Sequence, residues 1–178
     1  MNYCSGCSAP VVLKVPAGDT LARFVCTRCE AIYYQNPRMI VGCIAEWEGK
    51  ILMCRRAIVP RYGFWTLPAG FMENDETTKE AARRETLEEA CALVAIDALF
   101  SMINLPTINQ VHLFYRGQLI APVFSSGAES LETALFSETE IPWEDIAFCS
   151  ITKCLKDYFS DRVAGSFSFH ESDMTALY

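Results

Sequence analysis

The sequence contains no uninterrupted apolar run approaching the ~18 residues that cross a bilayer as a helix, so it predicts no membrane partner. Its N-terminus, MNYCSGCSAP, lacks a basic region followed by an apolar stretch, which argues against a secretory signal. Positive charge is also scarce: 15 Lys and Arg stand against 22 Asp and Glu, a formal net charge of −7. A ligand whose main demand is phosphate neutralisation needs a basic face, so nucleic acid is argued against as the principal partner. A phosphorylated small molecule remains compatible, provided metal ions or a local Arg cluster stand between the two negative partners. Repeats and low-complexity tracts are absent too. With 51% hydrophobic and 21% charged residues, the 178-residue chain has the composition of one globular domain, or of one domain plus a small module. The expectation is a soluble cytoplasmic protein.

Cysteine, by contrast, is abundant. Four of the nine form a pattern, Cys4-x2-Cys7 and Cys26-x2-Cys29, with eighteen residues between the pairs. Two such turns at that separation fit a closed tetrahedral thiolate zinc site. With all four positions filled by cysteine, no coordination position is left for catalysis, so the zinc is expected to be structural. Between the pairs, VVLKV and LARFV read as short strands around the turn signal Pro16-Ala17-Gly18-Asp19. Residues 1–35 are therefore expected to be a zinc ribbon, whose small core leaves the metal to supply much of the folding energy. The other cysteines (Cys43, Cys54, Cys91, Cys149 and Cys154) are scattered through apolar or helical-looking segments, as buried thiols of a reducing compartment would be.

Residues 36–178 read as a second unit. Strands are expected over 39–47 and 51–56, joined by a turn at Glu48-Gly49-Lys50, and over 63–67, 94–104, 108–120 and 133–137. Thr77 followed by Glu80 fits a capping box that opens a helix running to about Ala90. Pro142 with Glu144 and Asp145 behind it has the signature of a helix N-terminus, and Ile151, Leu155 and Phe159 have amphipathic helical spacing. The tail from Gly165 carries no clear signal. The sum is an α+β sandwich built on a mixed sheet and preceded by a zinc ribbon.

The stretch that carries chemistry runs from Gly70 to Ala92, GFMENDETTKEAARRETLEEACA. On a helix, Glu85, Glu88 and Glu89 at i, i+3 and i+4 share one face. Like charges so close repel unless something positive stands beside them, and a hard divalent cation takes carboxylate oxygens. The alternative is a solvated acidic face. The order Gly70-x5-Glu76-x7-Arg84-Glu85-x-x-Glu88-Glu89 resembles the Nudix box, G-x5-E-x7-R-E-U-x-E-E-x-G-U with U a bulky aliphatic residue, at every charged position and the first glycine. It departs at Thr86 and Ala92, which replace aliphatics, and at Cys91, which replaces the second glycine. If the exit turn needs a positive φ, Cys91 there would cost roughly 1 kcal/mol. The ribbon ahead of the box resembles the layout of the Nudix dinucleotide pyrophosphatases, so the likeness covers most of the chain.

The resemblance implies an α/β/α sandwich and Mg²⁺-dependent cleavage of the diphosphate in a nucleotide or dinucleotide substrate, with release of AMP. It also implies that Glu85, Glu88 and Glu89 ligate Mg²⁺ or Mn²⁺, and that a carboxylate accepts a proton from the attacking water; Glu85 and Glu88 are the candidates within the box. Glu132 is the favoured candidate outside it, ahead of Glu129. Arg84 and Glu76 are expected to form a structural ion pair tying helix to loop. Arg55 and Arg56, adjacent on a strand, point to opposite faces, and one of them is expected to contact phosphate. Trp65, with Phe64 and Tyr62, is a candidate to stack on a ring. His112 is given no catalytic role.

The box does not name the group attached to the diphosphate. The motif S-Q-P-W-P-F-P-x-S that marks typical NADH pyrophosphatases is missing from residues 101–110, while INQVHLFYRGQL and LFSETEIPWEDIAF resemble ribbon-bearing relatives associated with ADP-ribose and FAD. The expected order is ADP-ribose or FAD, then NAD(H), with mRNA caps and nucleoside triphosphates behind. A homodimer is expected. The competing class is a non-catalytic ligand sensor or regulator whose ribbon binds nucleic acid or protein.

Overall fold

The computed structural model describes residues 1–176 and divides into two compact units, Met1–Pro37 and the chain from Arg38 onward. In the first, β1 (Val11–Lys14), β2 (Arg23–Cys26) and β3 (Ile32–Tyr33) form an antiparallel sheet in that order. The third strand was not expected: AIYYQNPR reads as a link, yet its first half pairs with Phe24 and Val25. The turn at Asp19 is held by its own carboxylate, which accepts from the amides of Thr20 and Leu21 and pairs with Arg23 at 3.0 Å.

The second unit is built on β4 (Arg38–Trp47), β5 (Lys50–Arg56), β6 (Trp65–Thr66), β7 (Ala69–Phe71), β8 (Val94–Leu105), β9 (Gln110–Leu119), β10 (Ser130–Phe136) and β11 (His170–Asp173). The sheet order is β10-β5-β4-β9-β8-β11, with β4 parallel to β9 and β11 parallel to β8. Helices α1 (Thr78–Ala90) and α2 (Cys149–Ala164) cover opposite faces. Under α1 lie Val41, Cys43, Ala45, Leu113 and Tyr115; under α2 lie Ile44, Phe100, Ile103 and Phe114. This strict alternation along β4 and β9 is what a strand buried on both faces requires. The result is the expected α/β/α sandwich with a mixed sheet.

One local feature positions the site. The β4–β5 hairpin pairs only at Glu46↔Ile51 and Trp47↔Lys50, and then the strands part. Residues 65–71 fill the gap, β6 on β5 and β7 on β4. Gly42 allows this: a Cβ there would collide with Ala69 and the Pro68 carbonyl. A cleft opens where the sheet divides.

Three expectations need correction. The Pro142 signature starts no α-helix but a 3₁₀ turn, Trp143–Asp145. Ile146 and Ala147 are drawn alongside Trp65 by a parallel bridge and an amide-to-carbonyl bond of 2.8 Å, so α2 starts only at Cys149. The helix then continues past Phe159 to Ala164, where Gly165 adopts φ 72° and closes it. The tail, finally, supplies an edge strand: β11 pairs His170 with Ser101 and Asp173 with Asn104.

Candidate active site

Helix α1 begins as its sequence dictates. The Thr77 hydroxyl accepts from the Glu80 amide and the Glu80 carboxylate accepts from the Thr77 amide, a reciprocal capping box. Thr86, where the box has an aliphatic residue, is fully buried and returns its hydroxyl to the Ala82 carbonyl at 2.7 Å. The polar group is thus satisfied within the helix. At the far end Cys91 has φ 48° and ψ 32°, the left-handed region. The turn that glycine normally makes is made here by an exposed cysteine.

Arg84 organises the box. Its guanidinium donates to both oxygens of Glu76 (Nη2 at 2.7 Å, Nε at 3.0 Å), to the Phe71 carbonyl at 3.1 Å, to Glu85 at 2.7 Å and to Glu88 at 3.0 Å. The pair with Glu76 is bidentate and holds the loop after β7 against the helix. The same cation stands between Glu85 and Glu88, and so supplies part of the positive charge that the acidic face needs. Gly70 packs against Glu85 so closely that any Cβ would overlap its carboxylate.

Glu89 is 6% exposed. Burial pushes its carboxyl up to about 8, opposed by an amide bond from Ala69 at 3.1 Å. Burial also raises Glu85, against the pull of Arg84. Glu88 projects into solvent. A buried carboxylate with little local compensation is a poor anion alone and a good ligand for a hard cation. The donor set therefore fits Mg²⁺ or Mn²⁺, with the remaining oxygens coming from water or substrate. The three carboxylates are not drawn to a point, however. Among the described residues, the group of three or more metal-ligating atoms within 4.8 Å of one another is Cys4, Cys7, Cys26 and Cys29.

Those four sulfurs form the other centre. Neighbouring Sγ atoms lie 3.4–3.6 Å apart, close to the ~3.8 Å edge of a tetrahedron with 2.3 Å zinc–sulfur bonds. The amides of Arg28 and Cys29 point at Cys26 Sγ at 3.3 and 3.4 Å and lower its pKa, the arrangement of a metal knuckle. The Tyr33 hydroxyl donates to Cys4 at 2.9 Å and lowers that thiol to about 6. Cys7 goes the other way, raised to about 12 by its sulfur neighbours and by burial, so the four thiols share their protons until a cation displaces them.

The cleft at the sheet division encloses about 660 Å³. One wall is acidic, with Glu85, Glu88, Glu89 and Glu129. The other is apolar, with Ile40, Phe114, Phe148 and Ile151. Arg56 also lines it, its Nε bonded to the Pro60 carbonyl and its guanidinium over Phe148.

Several expected site residues lie elsewhere. Arg55 is on the opposite side of β5 from Arg56, facing solvent, where it bonds the Gly63 carbonyl and pairs with Glu132 at 3.7 Å. Glu132 is thereby directed away from the cleft, which Glu129 lines instead. The cause is a register shift between Ser130 and Glu132 that upsets the two-residue alternation. Trp65 is core: it is buried and packs edge-on against Phe136 at 4.8 Å. His112, for which the sequence reading gives no catalytic role, and Gln110, which it does not single out, line the cleft. Their i, i+2 spacing on a strand beside Phe114 was the available signal.

A divided mixed sheet between two helices, with an Arg-tethered acidic helix on a cleft, defines a pyrophosphatase-type hydrolase fold. The chain belongs to the Nudix family: the NUDIX domain model matches residues 36–158, and the Nudix N-terminal zinc-ribbon model matches residues 2–35. Among curated relatives, an ADP-ribose pyrophosphatase of Methanocaldococcus jannaschii is 31% identical over 134 residues, 70% of this chain and 75% of that protein. Phosphatase NudJ of Escherichia coli is 43% identical over 54 residues, which span only 35% of its length. Among solved structures, a NUDIX hydrolase from Nitrosomonas europaea is 52% identical with a TM-score of 0.96, over 98% of this chain and 99% of that one. An ADP-ribose pyrophosphatase from Streptococcus suis (19% identity, TM-score 0.61, 78% and 100% covered) shares the fold.

Proposed function

We propose that the chain is a Mg²⁺- or Mn²⁺-dependent pyrophosphohydrolase that cleaves the diphosphate of ADP-ribose or FAD, with NAD(H) next, releasing AMP. The observation that carries this reading is the two-walled cleft, acidic along α1 and apolar opposite, with Arg56 lining it. It suits a ligand with a charged diphosphate at one end and a ring at the other. The relative from M. jannaschii named ADP-ribose pyrophosphatase supports ADP-ribose among these substrates.

In this reading Glu85, Glu88 and Glu89 hold the divalent cation, which when bound neutralises phosphate charge and acidifies water. Arg84 and Glu76 fix the helix to the loop so that the carboxylates keep their places. Arg56 offers its positive charge to a phosphate oxygen. Glu85, Glu88 and Glu129 are the candidates to accept the proton from attacking water; Glu129 takes this role from Glu132 because it lines the cleft. Residues 1–37 hold one structural zinc on Cys4, Cys7, Cys26 and Cys29. Their exposed Leu13, Val15 and Leu21 support a homodimer, and the free thiols of Cys43, Cys54 and Cys154 support a cytoplasmic setting.

The test is a panel of ADP-ribose, FAD, NADH and a capped dinucleotide compared by kcat/KM with Mg²⁺ present. ADP-ribose or FAD should lead. Tight binding of one of them without turnover of any would favour a sensor.

A further inference from the structure

At the apolar end of the cleft, Gln110, His112 and Ser150 form a short hydrogen-bonded chain. His112 Nδ1 lies 3.0 Å from Ser150 Oγ, and His112 Nε2 lies 3.0 Å from Gln110 Oε1. The carboxamide oxygen can only accept, so Nε2 carries the imidazole proton and Nδ1 accepts from the Ser150 hydroxyl. Ser150 is fully buried in the first turn of α2 and His112 is 4% exposed, so both are fixed by packing. Burial also holds the imidazole neutral, its pKa lowered to about 4. The chain therefore sets the rotation of the Gln110 carboxamide. Its oxygen is held by His112, and its NH₂ group is left without a hydrogen-bond partner among the described residues.

The placement matters as much as the orientation. Gln110 pairs with Arg38 across β4–β9, and His112 pairs with Ile40, which in turn pairs with Phe71 on β7. Gln110 is thus two strands across and three to four residues along from the Ala69–Gly70 segment against which Glu85 and Glu89 lie, roughly 15 Å at ordinary strand spacing and rise. A nucleoside diphosphate, met by the side chains at each end, covers such a span. A diphosphate held at the glutamates would deliver an attached ring among Ile40, Phe114, Phe148 and Ile151, with Gln110 at its edge.

We propose that Gln110 is a specificity-determining residue whose oriented NH₂ group donates to an acceptor on the edge of a planar heterocycle bound at the apolar end of the cleft. This rests on the pyrophosphohydrolase reading above. A ring nitrogen of adenine and a carbonyl of flavin both present such an acceptor. A site with a fixed donor favours them over moieties that leave it unpaired.

The experiment measures binding of AMP, FMN and ribose 5-phosphate to the whole chain, wild type and Gln110→Met, alongside KM and kcat for ADP-ribose and FAD. Gln110→Met keeps side-chain length and removes the donor. It should weaken AMP or FMN by about 10-fold, the loss of one buried hydrogen bond, and leave ribose 5-phosphate, which has no planar base, unchanged. KM for the matching dinucleotide should rise with kcat retained. Loss confined to AMP identifies adenine, and loss confined to FMN identifies flavin. If the single variant unfolds because His112 loses its acceptor, the double variant Gln110→Met with His112→Phe removes both partners together. Unchanged affinities, or an equal loss on ribose 5-phosphate, would overturn the assignment while active wild type preserved the enzymatic reading. Wild type that neither binds these nucleotides nor cleaves the panel would overturn both.

Discussion

The cysteines of the first unit and the glutamates of the second are both sets of metal-type ligands, but they are arranged in opposite ways. The four sulfurs converge within 4.8 Å, held by knuckle amides and the Tyr33 hydroxyl. The box carboxylates spread along a cleft wall, one exposed, two buried, with Arg84 between two of them. A closed soft site organises its own fold, whereas an open hard site needs oxygens from water and substrate to be complete. The lesson is that the first set carries its whole geometry in the chain, while the second leaves positions that only water or a ligand could fill.

Zinc removal gives the largest effect that can break this comparison. Purified protein should carry one zinc per chain, and the bound ion should contribute roughly 10 kcal/mol or more to the first unit. Cys26→Ser or chelation should therefore abolish amide exchange protection in residues 1–37 while residues 38–176 keep theirs. Retained protection in a zinc-free ribbon would show that its small sheet stands without the metal.

Glu88→Gln probes the other side. Glu88 is exposed, so stability should change by no more than about 0.5 kcal/mol. Turnover should nonetheless fall by roughly 10³-fold, the scale for losing one charge-stabilising group in a reaction centre. A variant with near-normal Mg²⁺-dependent AMP release would remove the box from the mechanism. Loss of stability in step with activity would make Glu88 a structural residue.

The cysteine cluster and the acidic helix were legible in the sequence because their information is local. C-x-x-C knuckles, the Thr77–Glu80 cap and the i, i+3, i+4 glutamates are set within one or two turns of chain. What escaped depends on distant partners. Strand β11 exists because residues 170–173 find the open edge of β8, and nothing in SFSFHESD says so. The Pro142 signature was outweighed by the bridge from Ile146 to Trp65. Glu132 faces away from the cleft because of one irregularity in the β10–β5 register. The His112–Ser150 bond joins β9 to α2 across 38 positions, so no motif could announce it.

A pH series separates the two walls of the cleft. His112 has its folded pKa depressed from 6.5 to about 4 by burial. Above pH 6.5 it is neutral in both states and has no effect. As pH falls through 6.5 the unfolded chain takes up a proton that the folded chain refuses, so stability drops until about pH 4. The full difference is up to roughly 3 kcal/mol. Urea midpoints for wild type and His112→Gln should differ in slope over this window, with the variant flatter. Parallel slopes would mean that the imidazole accepts a proton in place.

Cys91→Gly should give the smallest effect, and one of opposite sign. The helix ends there with φ 48°, and the Cys91 amide reaches the Leu87 carbonyl at 2.9 Å. A side chain in that conformation costs roughly 1–2 kcal/mol, while glycine gives back part of the gain through the entropy of the unfolded chain. Because the thiol is exposed, its removal loses no packing. The net should be a stabilisation of about 0.5–1 kcal/mol, read as a higher urea midpoint with unchanged m-value. Turnover should hold, because the cap carbonyls and the glutamates before them keep their positions. A destabilised Cys91→Gly would show that the thiol makes a compensating contact. In that case the departure from the box would be an adaptation of this chain and not a tolerated strain.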